Sequence, residues 1–182
     1  MKCPACQHTL QQIEYKGVTI HECPHCHGEW FDKEELSLAK NKTDEDLRWL
    51  DFDLFDKKHN KFSHSKSHKI CPKDNSPMTA LEYMDSKVVL DECDTCEGIW
   101  LDHHEFEKLI AYLKKKVVNE SASEYAKDAV KELEEILIGS KDKVTEIKDF
   151  LTIMKLFEKR LAVEHPWTIA LSESINHYWP VR

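Results

Sequence analysis

The chain has 182 residues, a formal net charge of −8 at pH 7, 33% charged residues and a mean hydropathy of −0.60. This composition is typical of a soluble protein, and the negative charge argues against broad non-specific attraction to nucleic acid or anionic membranes. No apolar run approaches the roughly 18 residues that indicate a membrane span, and we expect no secretory signal, because no basic and apolar segment stands at the N-terminus.

The seven cysteines indicate bound metal. Their number is odd for a disulfide framework, and they stand in turns of the C-x-x-C type. Thiolate-bound metal in a reducing cytoplasm fits this pattern best. We therefore expect a cytoplasmic protein.

One stretch of the chain occurs twice, and the two copies lie 70 residues apart. Residues 23–36 and 93–106 share two cysteines, a glycine, a tryptophan, an aspartate and a glutamate at the same positions. A second turn of the metal-binding type precedes each copy, at residues 3–6 and 71–74. The repeat predicts two tandem zinc ribbons.

A β-hairpin is predicted between the two turns of each copy. Residues 10–15 and 18–22 are predicted strands around a Lys16-Gly17 turn, and residues 78–83 and 88–92 are the corresponding strands of the second copy. The two additional residues of the second copy fall at the hairpin tip, where insertions are tolerated. The duplication therefore covers the whole unit and is not confined to the cysteines.

A helix start follows each ribbon. Asp32 with Glu35, and Asp102 with Glu105, have the spacing of a capping box, in which the aspartate accepts first-turn amides and the glutamate reaches back. The first of these helices is expected to end near Asn41. The predicted class is therefore a small zinc-stabilised α+β fold, with a β-hairpin and a short helix in each ribbon.

The glycines and tryptophans of the repeat also have predicted structural roles. Gly28 and Gly98 are expected to supply a positive φ after the second ligand turn. Trp30 and Trp100 are expected to cover the hairpin of their ribbon in preference to stacking on a nucleic-acid base.

Residues 57–69 mark the clearest change of composition in the chain. They contain five lysines, three histidines and no acid, which predicts a flexible linker. The predicted organisation is a first ribbon (1–42), an acidic and then Lys/His-rich linker (43–69), a second ribbon with its following helix (70–118) and an α-helical region (119–182).

The C-terminal part has helical periodicity. Apolar rows predict three helices after Glu105, with Ser121 and Glu124 capping the second, and residues 167–179 are a candidate for a fourth. The third helix carries two adjoining apolar rows: Val144, Ile147, Leu151 and Met154, and then Phe150, Ile153 and Phe157. So broad an apolar arc needs more than one neighbour. We expect either a closed monomeric bundle or a homodimer through these helices.

The first ribbon has the ligand spacing of a zinc site. Two C-x2-C turns separated by 16 residues let four thiolates converge tetrahedrally on one ion, and the predicted ligands are Cys3, Cys6, Cys23 and Cys26. A ribbon of about forty residues buries too little apolar surface to fold alone. Zinc binding and folding are therefore expected to be coupled.

The second ribbon has Asp74 where the first has Cys6. Its other predicted ligands are Cys71, Cys93 and Cys96, and three alternatives complete the set: Asp74, His68 or a water molecule. A site with bound water would resemble a catalytic one, but catalytic zinc favours more nitrogen and oxygen ligands, and no general base is placed beside it. We expect two zinc ions per chain and no enzymatic activity.

These motifs resemble the transcription factor IIB-type zinc-ribbon family in its short bacterial form, with C-P-x-C, then C-P-x-C-x-G-x-W, and a following L/F-D-x-x-E-L/F. The similarity covers residues 1 to about 40 and 70 to about 110. It implies a ribbon fold that binds zinc through the seven cysteines. A C-P-x-D variant recurs in that family, which favours Asp74 as the eighth ligand.

The sequence therefore predicts a zinc-binding protein-interaction or adaptor module with a protein partner and no membrane association. One alternative is a transcription-associated ribbon whose lysine-rich linker contacts DNA or RNA, which a steep salt dependence of oligonucleotide binding would indicate. A second alternative is a zinc enzyme that uses the Asp74 site, which a metal-bound water beside a pocket would indicate.

Overall fold

The computed structural model describes residues 1–50, 62–138 and 143–168 of the chain. The chain divides into two compact units, Met1–Lys115 and Lys116–Arg182. Both ribbons lie in the first unit and share one antiparallel sheet, while the second unit is built on a pair of helices. The α+β class with a helical C-terminal region is thereby confirmed. Within the described ranges, no helix has the length and apolar character needed to cross a bilayer.

The first ribbon contributes three strands and a helix, followed by a 3₁₀ turn at Glu45–Leu47. Its elements are β1 (Gln11–Tyr15), β2 (Val18–Glu22), β3 (Glu29–Phe31) and α1 (Glu35–Thr43). In the predicted hairpin Tyr15 pairs with Val18, and Lys16 and Gly17 have φ values of 50° and 83°. Two consecutive positive φ values are typical of the two-residue turn that matches the twist of the flanking strands.

The second ribbon repeats this pattern with one additional strand. Its elements are β4 (Phe62–Ile70), β5 (Pro77–Tyr83), β6 (Val89–Glu92), β7 (Ile99–Leu101) and α2 (Glu105–Asn119). The four hairpin strands begin and end within one residue of their predicted positions. The short strands β3 and β7 were not predicted, because three residues are too few to show a period of two.

The two ribbons join through their third strands, β3 and β7. The strand order is β1-β2-β3-β7-β6-β5-β4, and neighbouring strands are antiparallel. Trp30 pairs with Trp100, and the flanking pairs are symmetric about these two residues. The tandem repeat therefore associates with itself as an internal pseudo-twofold dimer, which buries surface that a single ribbon of this size would expose.

The prediction of a flexible linker over residues 57–69 is wrong for its second half. Residues from 62 onward form β4, an edge strand paired with β5, and residues 51–61 lie outside the described ranges. Ser67 Oγ and Lys69 Nζ donate to the carboxylate of Asp91 at 2.5 and 2.6 Å, and Asp91 is only 2% exposed. Because a buried carboxylate needs such donors, these polar residues hold a strand in place.

The predicted capping boxes form only in part. In the first ribbon, the Glu35 carboxylate accepts the main-chain N–H of Asp32 at 2.8 Å, as predicted. The Asp32 carboxylate, however, accepts the indole N–H of Trp30 at 3.0 Å. The second ribbon repeats both bonds, at 2.9 and 2.8 Å. Since a buried indole N–H needs an acceptor, each aspartate holds the tryptophan two residues before it.

In its described part, the second unit has the antiparallel helices α3 (Ala122–Ile138) and α4 (Lys143–Glu164). The N–H of Ala122, at the start of α3, lies 3.4 Å from a carboxylate oxygen of Glu164, at the end of α4. The predicted cap of α3 is confirmed, because the Ser121 N–H donates to Glu124 at 2.8 Å. Most of the predicted last helix, at residues 167–179, lies outside the described residues.

Candidate metal centres

The four ligand turns share one main-chain geometry. In each turn the residue after the second ligand donates its N–H to the carbonyl of the first ligand, at 2.8–3.1 Å: Gln7 to Cys3, His27 to Cys23, Asn75 to Cys71 and Glu97 to Cys93. All four donors have a left-handed φ, between 55° and 64°. The prediction that Gly28 and Gly98 supply the positive φ is therefore wrong, because His27 and Glu97 adopt it.

Gly28 and Gly98 are needed for a different reason, which is the close approach of a tryptophan from the other ribbon. A Cβ atom at Gly28 would lie 2.2 Å from Cζ2 of Trp100, and one at Gly98 would lie 2.1 Å from Cζ2 of Trp30. No side chain fits at such distances, so only glycine is compatible with this packing. Both indoles are fully buried. Each tryptophan thus packs on the ligand turn of the other ribbon, a contact that the sequence did not predict.

The first centre brings together the four predicted cysteines of the first ribbon, Cys3, Cys6, Cys23 and Cys26. Their Sγ atoms all lie within 4.8 Å of one another, and three of the S···S distances are 3.5 Å. A tetrahedral zinc ion with Zn–S bonds of about 2.3 Å has S···S edges of about 3.8 Å. The donor set and its spacing therefore fit zinc.

Burial affects the protonation of these thiols. Burial raises the pKa of the Cys3 thiol above its ordinary range, and it does the same for Cys71 in the second ribbon. Both groups are therefore protonated thiols without metal. Since zinc binds thiolates, metal binding must displace these protons.

The second centre brings Asp74 together with Cys71, Cys93 and Cys96. The Sγ atoms of Cys71 and Cys96 are 3.6 Å apart, and Cys93 Sγ lies 3.3 Å from Oδ2 of Asp74. His68 is exposed on β4 and does not belong to this group. Of the three alternatives for the eighth ligand, this placement favours Asp74.

Ser76 orients the Asp74 carboxylate. Its main-chain N–H and its hydroxyl both donate to Oδ1, at 2.9 and 2.6 Å. These bonds hold the pKa of the Asp74 carboxyl below its usual range, and Oδ2 is left directed at Cys93. A ligating carboxylate is typically hydrogen-bonded in this way by a second residue. The role of Ser76 was not predicted from the sequence, although an aspartate that bonds the main chain two residues later is the common Asx turn.

Both centres lie on one hydrophobic core. This core joins buried cysteines of both ribbons to the two tryptophans and consists of Cys3, Leu10, Cys23, Trp30, Cys71, Met78, Cys93 and Trp100. Ion pairs between the ribbons flank it, from Lys33 to Glu97 at 2.8 Å and from Lys73 to Asp32 at 2.9 Å. Because exposed ion pairs contribute little to stability, the shared core and the β3–β7 pairing are the main physical links between the centres.

Asp74→Ala is expected to lower the zinc content from two ions per chain to one, because it removes a ligand of the second centre only. Asp74→Cys is expected to keep both ions, since it restores four thiolates. In graded chelation the wild type should release the ion of the second centre first, because a carboxylate is a harder ligand than a thiolate. Elemental analysis of the purified proteins measures these contents.

Ser76→Ala serves as the control for orientation. It keeps the ligand set and is expected to weaken zinc binding at the second centre by about 10–100-fold, the usual effect of losing an outer-shell partner. Full zinc retention by Asp74→Ala would contradict the ligand role of Asp74 and favour His68 or water.

Comparison with known proteins agrees with this geometry. A family model described as a transcription factor zinc-finger matches two segments of the chain, residues 2–42 and 70–112. These segments contain both ligand sets. No curated protein and no solved structure matches the chain significantly.

Proposed function

Because residues 2–42 and 70–112 are both zinc ribbons of the transcription factor zinc-finger family, we propose that the chain is a non-catalytic zinc protein that works as a protein-interaction module. Its two ribbons form a metal-stabilised scaffold, and its second unit supplies an interaction surface. The exposed apolar face of the α3–α4 hairpin is the observation that carries this proposal.

The donor sets support a structural role for the metal. Structural zinc sites are closed by four protein ligands, whereas catalytic sites keep one position for water or substrate. The first centre offers four thiolates, and in the second Asp74 stands in the fourth position. Each centre therefore fits a metal that holds the ribbon together.

Helical geometry places apolar rows of α3 and α4 on the same side of the hairpin. In an antiparallel pair, the residue that follows each buried position lies on the same side of both helices. The resulting hairpin face contains Val130, Leu133, Ile147 and Met154, which follow buried residues, and Leu137 and Leu151, which follow half-buried ones. These side chains are between 38% and 75% exposed. Contiguous apolar surface of this kind marks an interaction site.

The occupant that fits this hairpin face is the hairpin face of a second copy of the chain. Helix α3 has five acids and two lysines, a net charge of −3, whereas α4 has five basic residues and four acids, a net charge of +1. Packing α3 of one copy on α4 of the other brings opposite net charges together. Packing α3 on α3, or α4 on α4, brings like net charges together. The product is a four-helix bundle with twofold symmetry.

Leu151→Asp and Leu133→Asp are each expected to split the dimer. A charge buried without a partner costs about 3 kcal/mol or more, which corresponds to a dissociation constant raised roughly 100-fold. Sedimentation at micromolar concentration measures the dimer fraction. Val163→Asp is the matched control, because Val163 is an exposed apolar residue of α4 outside the hairpin face.

Two outcomes would overturn the dimer. One is a monomeric wild type at these concentrations, which would leave the hairpin face to a helix of another protein. The other is a dimer that neither substitution weakens, which would place the interface elsewhere on the chain.

A further inference from the structure

We propose that Cys6, His8 and His25 form a third metal site, which binds a divalent ion of the zinc type and shares the Cys6 thiolate with the first centre. The ligand atoms of these three residues lie within 4.8 Å of one another. One ion can contact all three once the two rings rotate out of their parallel arrangement, so that their in-plane nitrogen lone pairs converge. The site overlaps the first four-ligand set at Cys6 and adds His8 and His25, which belong to neither set.

The two imidazoles of the site lie close together, and the tautomer of one of them suits metal binding. The His8 and His25 rings are stacked, with centroids 4.0 Å apart and an angle of 6° between their planes. Nδ1 of His8 lies 3.2 Å from the carbonyl oxygen of Cys6. Since a carbonyl only accepts, Nδ1 carries the proton, and Nε2 is left with the lone pair that binds metal.

The site also has access to the Cys6 sulfur. Cys3 and Cys23 are fully buried, whereas Cys6 is only half-buried and both histidines are exposed. Four thiolates around one divalent cation carry two excess negative charges, which attract a second cation. A thiolate sulfur that binds one metal keeps lone pairs for another, and sulfur with imidazole is a donor set that suits zinc and similar ions.

The second ribbon lacks this group of ligands. The residues that correspond to Cys6, His8 and His25 are Asp74, Ser76 and Thr95. Ser76 donates two hydrogen bonds to the Asp74 carboxylate, so it supports a ligand of the second centre and provides no ligand for a further ion. The cysteine and the two histidines of the third site therefore occur in the first ribbon only, and the corresponding positions of the second ribbon have none of these residue types.

The test is equilibrium dialysis of the zinc-loaded, full-length protein against cobalt(II), with metal counted per chain and the absorption spectrum recorded. The wild type is expected to bind one cobalt ion in addition to its zinc, with a thiolate-to-cobalt charge-transfer band. His8→Gln combined with His25→Gln should weaken this binding at least about 100-fold and remove the band, since the loss of a single outer-shell partner already costs about 10–100-fold.

The matched control is His103→Gln combined with His104→Gln, which removes two neighbouring exposed imidazoles with ring centroids 3.5 Å apart. This variant is expected to bind the additional ion like the wild type. Absence of an additional ion in the wild type, its retention by the His8/His25 variant or its loss from the control would each overturn the site. Where the count shows both zinc ions retained, a charge-transfer band that is equal in the wild type and the His8/His25 variant would exclude Cys6 as the shared ligand.

Discussion

Removal of both metal ions is expected to unfold the sheet of residues 1–115 and to leave α3 and α4 helical. Structural zinc contributes on the order of 10–16 kcal/mol to the folding of comparable peptides, whereas a domain has only about 5–15 kcal/mol of net stability. The two centres share one core, so the tryptophans lose their packing when the thiolates lose their metal. The second unit has no cysteine and carries its own caps and apolar contacts.

Chelation of the full-length protein measures this effect with two signals. Tryptophan fluorescence should shift to the red, because Trp30 and Trp100 go from full burial to water. The helical circular dichroism signal should fall but persist, since α3 and α4 have 17 and 22 residues. Asp74→Ala, which retains one ion, is the control, and without chelator it should keep the sheet at a reduced stability. Complete loss of the helical signal would show that the second unit needs the ribbons in order to fold.

Gly98→Ala is expected to destabilise the zinc-loaded ribbons by about 1–3 kcal/mol through overpacking. The new Cβ atom would meet Cζ2 of Trp30 at 2.1 Å and Cη2 at 2.5 Å. Trp30→Phe removes both of these atoms and leaves a cavity in the wild type. In the Gly98→Ala background, Trp30→Phe makes room for the new methyl group. Trp30→Phe should therefore lower the free energy of unfolding by less in that background than in the wild type. The double-mutant cycle should give a coupling energy of about 1 kcal/mol or more.

Gly17→Ala separates this packing effect from the loss of glycine itself. Gly17 has a φ of 83° and nothing within 4 Å of its potential Cβ, so its replacement costs only backbone strain, about 1–2 kcal/mol. That cost should be the same in the wild type and in the Trp30→Phe background. Urea unfolding followed by circular dichroism measures the stability of each variant. Additive effects of Gly98→Ala and Trp30→Phe, within about 0.5 kcal/mol, would contradict the interlocked packing of the ribbons.

The interlocked packing also explains why the repeat keeps its glycines and tryptophans. Each tryptophan needs the aspartate two residues later as an acceptor and the glycine of the other ribbon as space. The aspartate and the glycine that a tryptophan needs lie in different ribbons. A substitution in one ribbon therefore disturbs the packing at the ligand turn of the other. We therefore expect the two ribbons to fold together as one unit.

The ribbons themselves were predictable from the sequence because their determinants are local. Ligands three residues apart define a turn, Lys16-Gly17 defines a two-residue hairpin, and Ser121 with Glu124 defines a helix start. Each of these patterns spans a few residues and depends little on the rest of the chain. The structure has the hairpins, the cap and the two ligand groups at the predicted positions.

Only the tertiary structure decided how the two ribbons use each other. The β3–β7 pairing joins residues about seventy positions apart, and nothing in either three-residue strand specifies its partner. The same holds for Gly28 and Gly98, whose role depends on an indole from the other ribbon, and for Lys69, which composition assigned to a linker and which binds the buried Asp91. Local sequence thus determined the elements and their metal ligands, whereas complementary surfaces, which form only when the elements meet, determined the single sheet and its shared core.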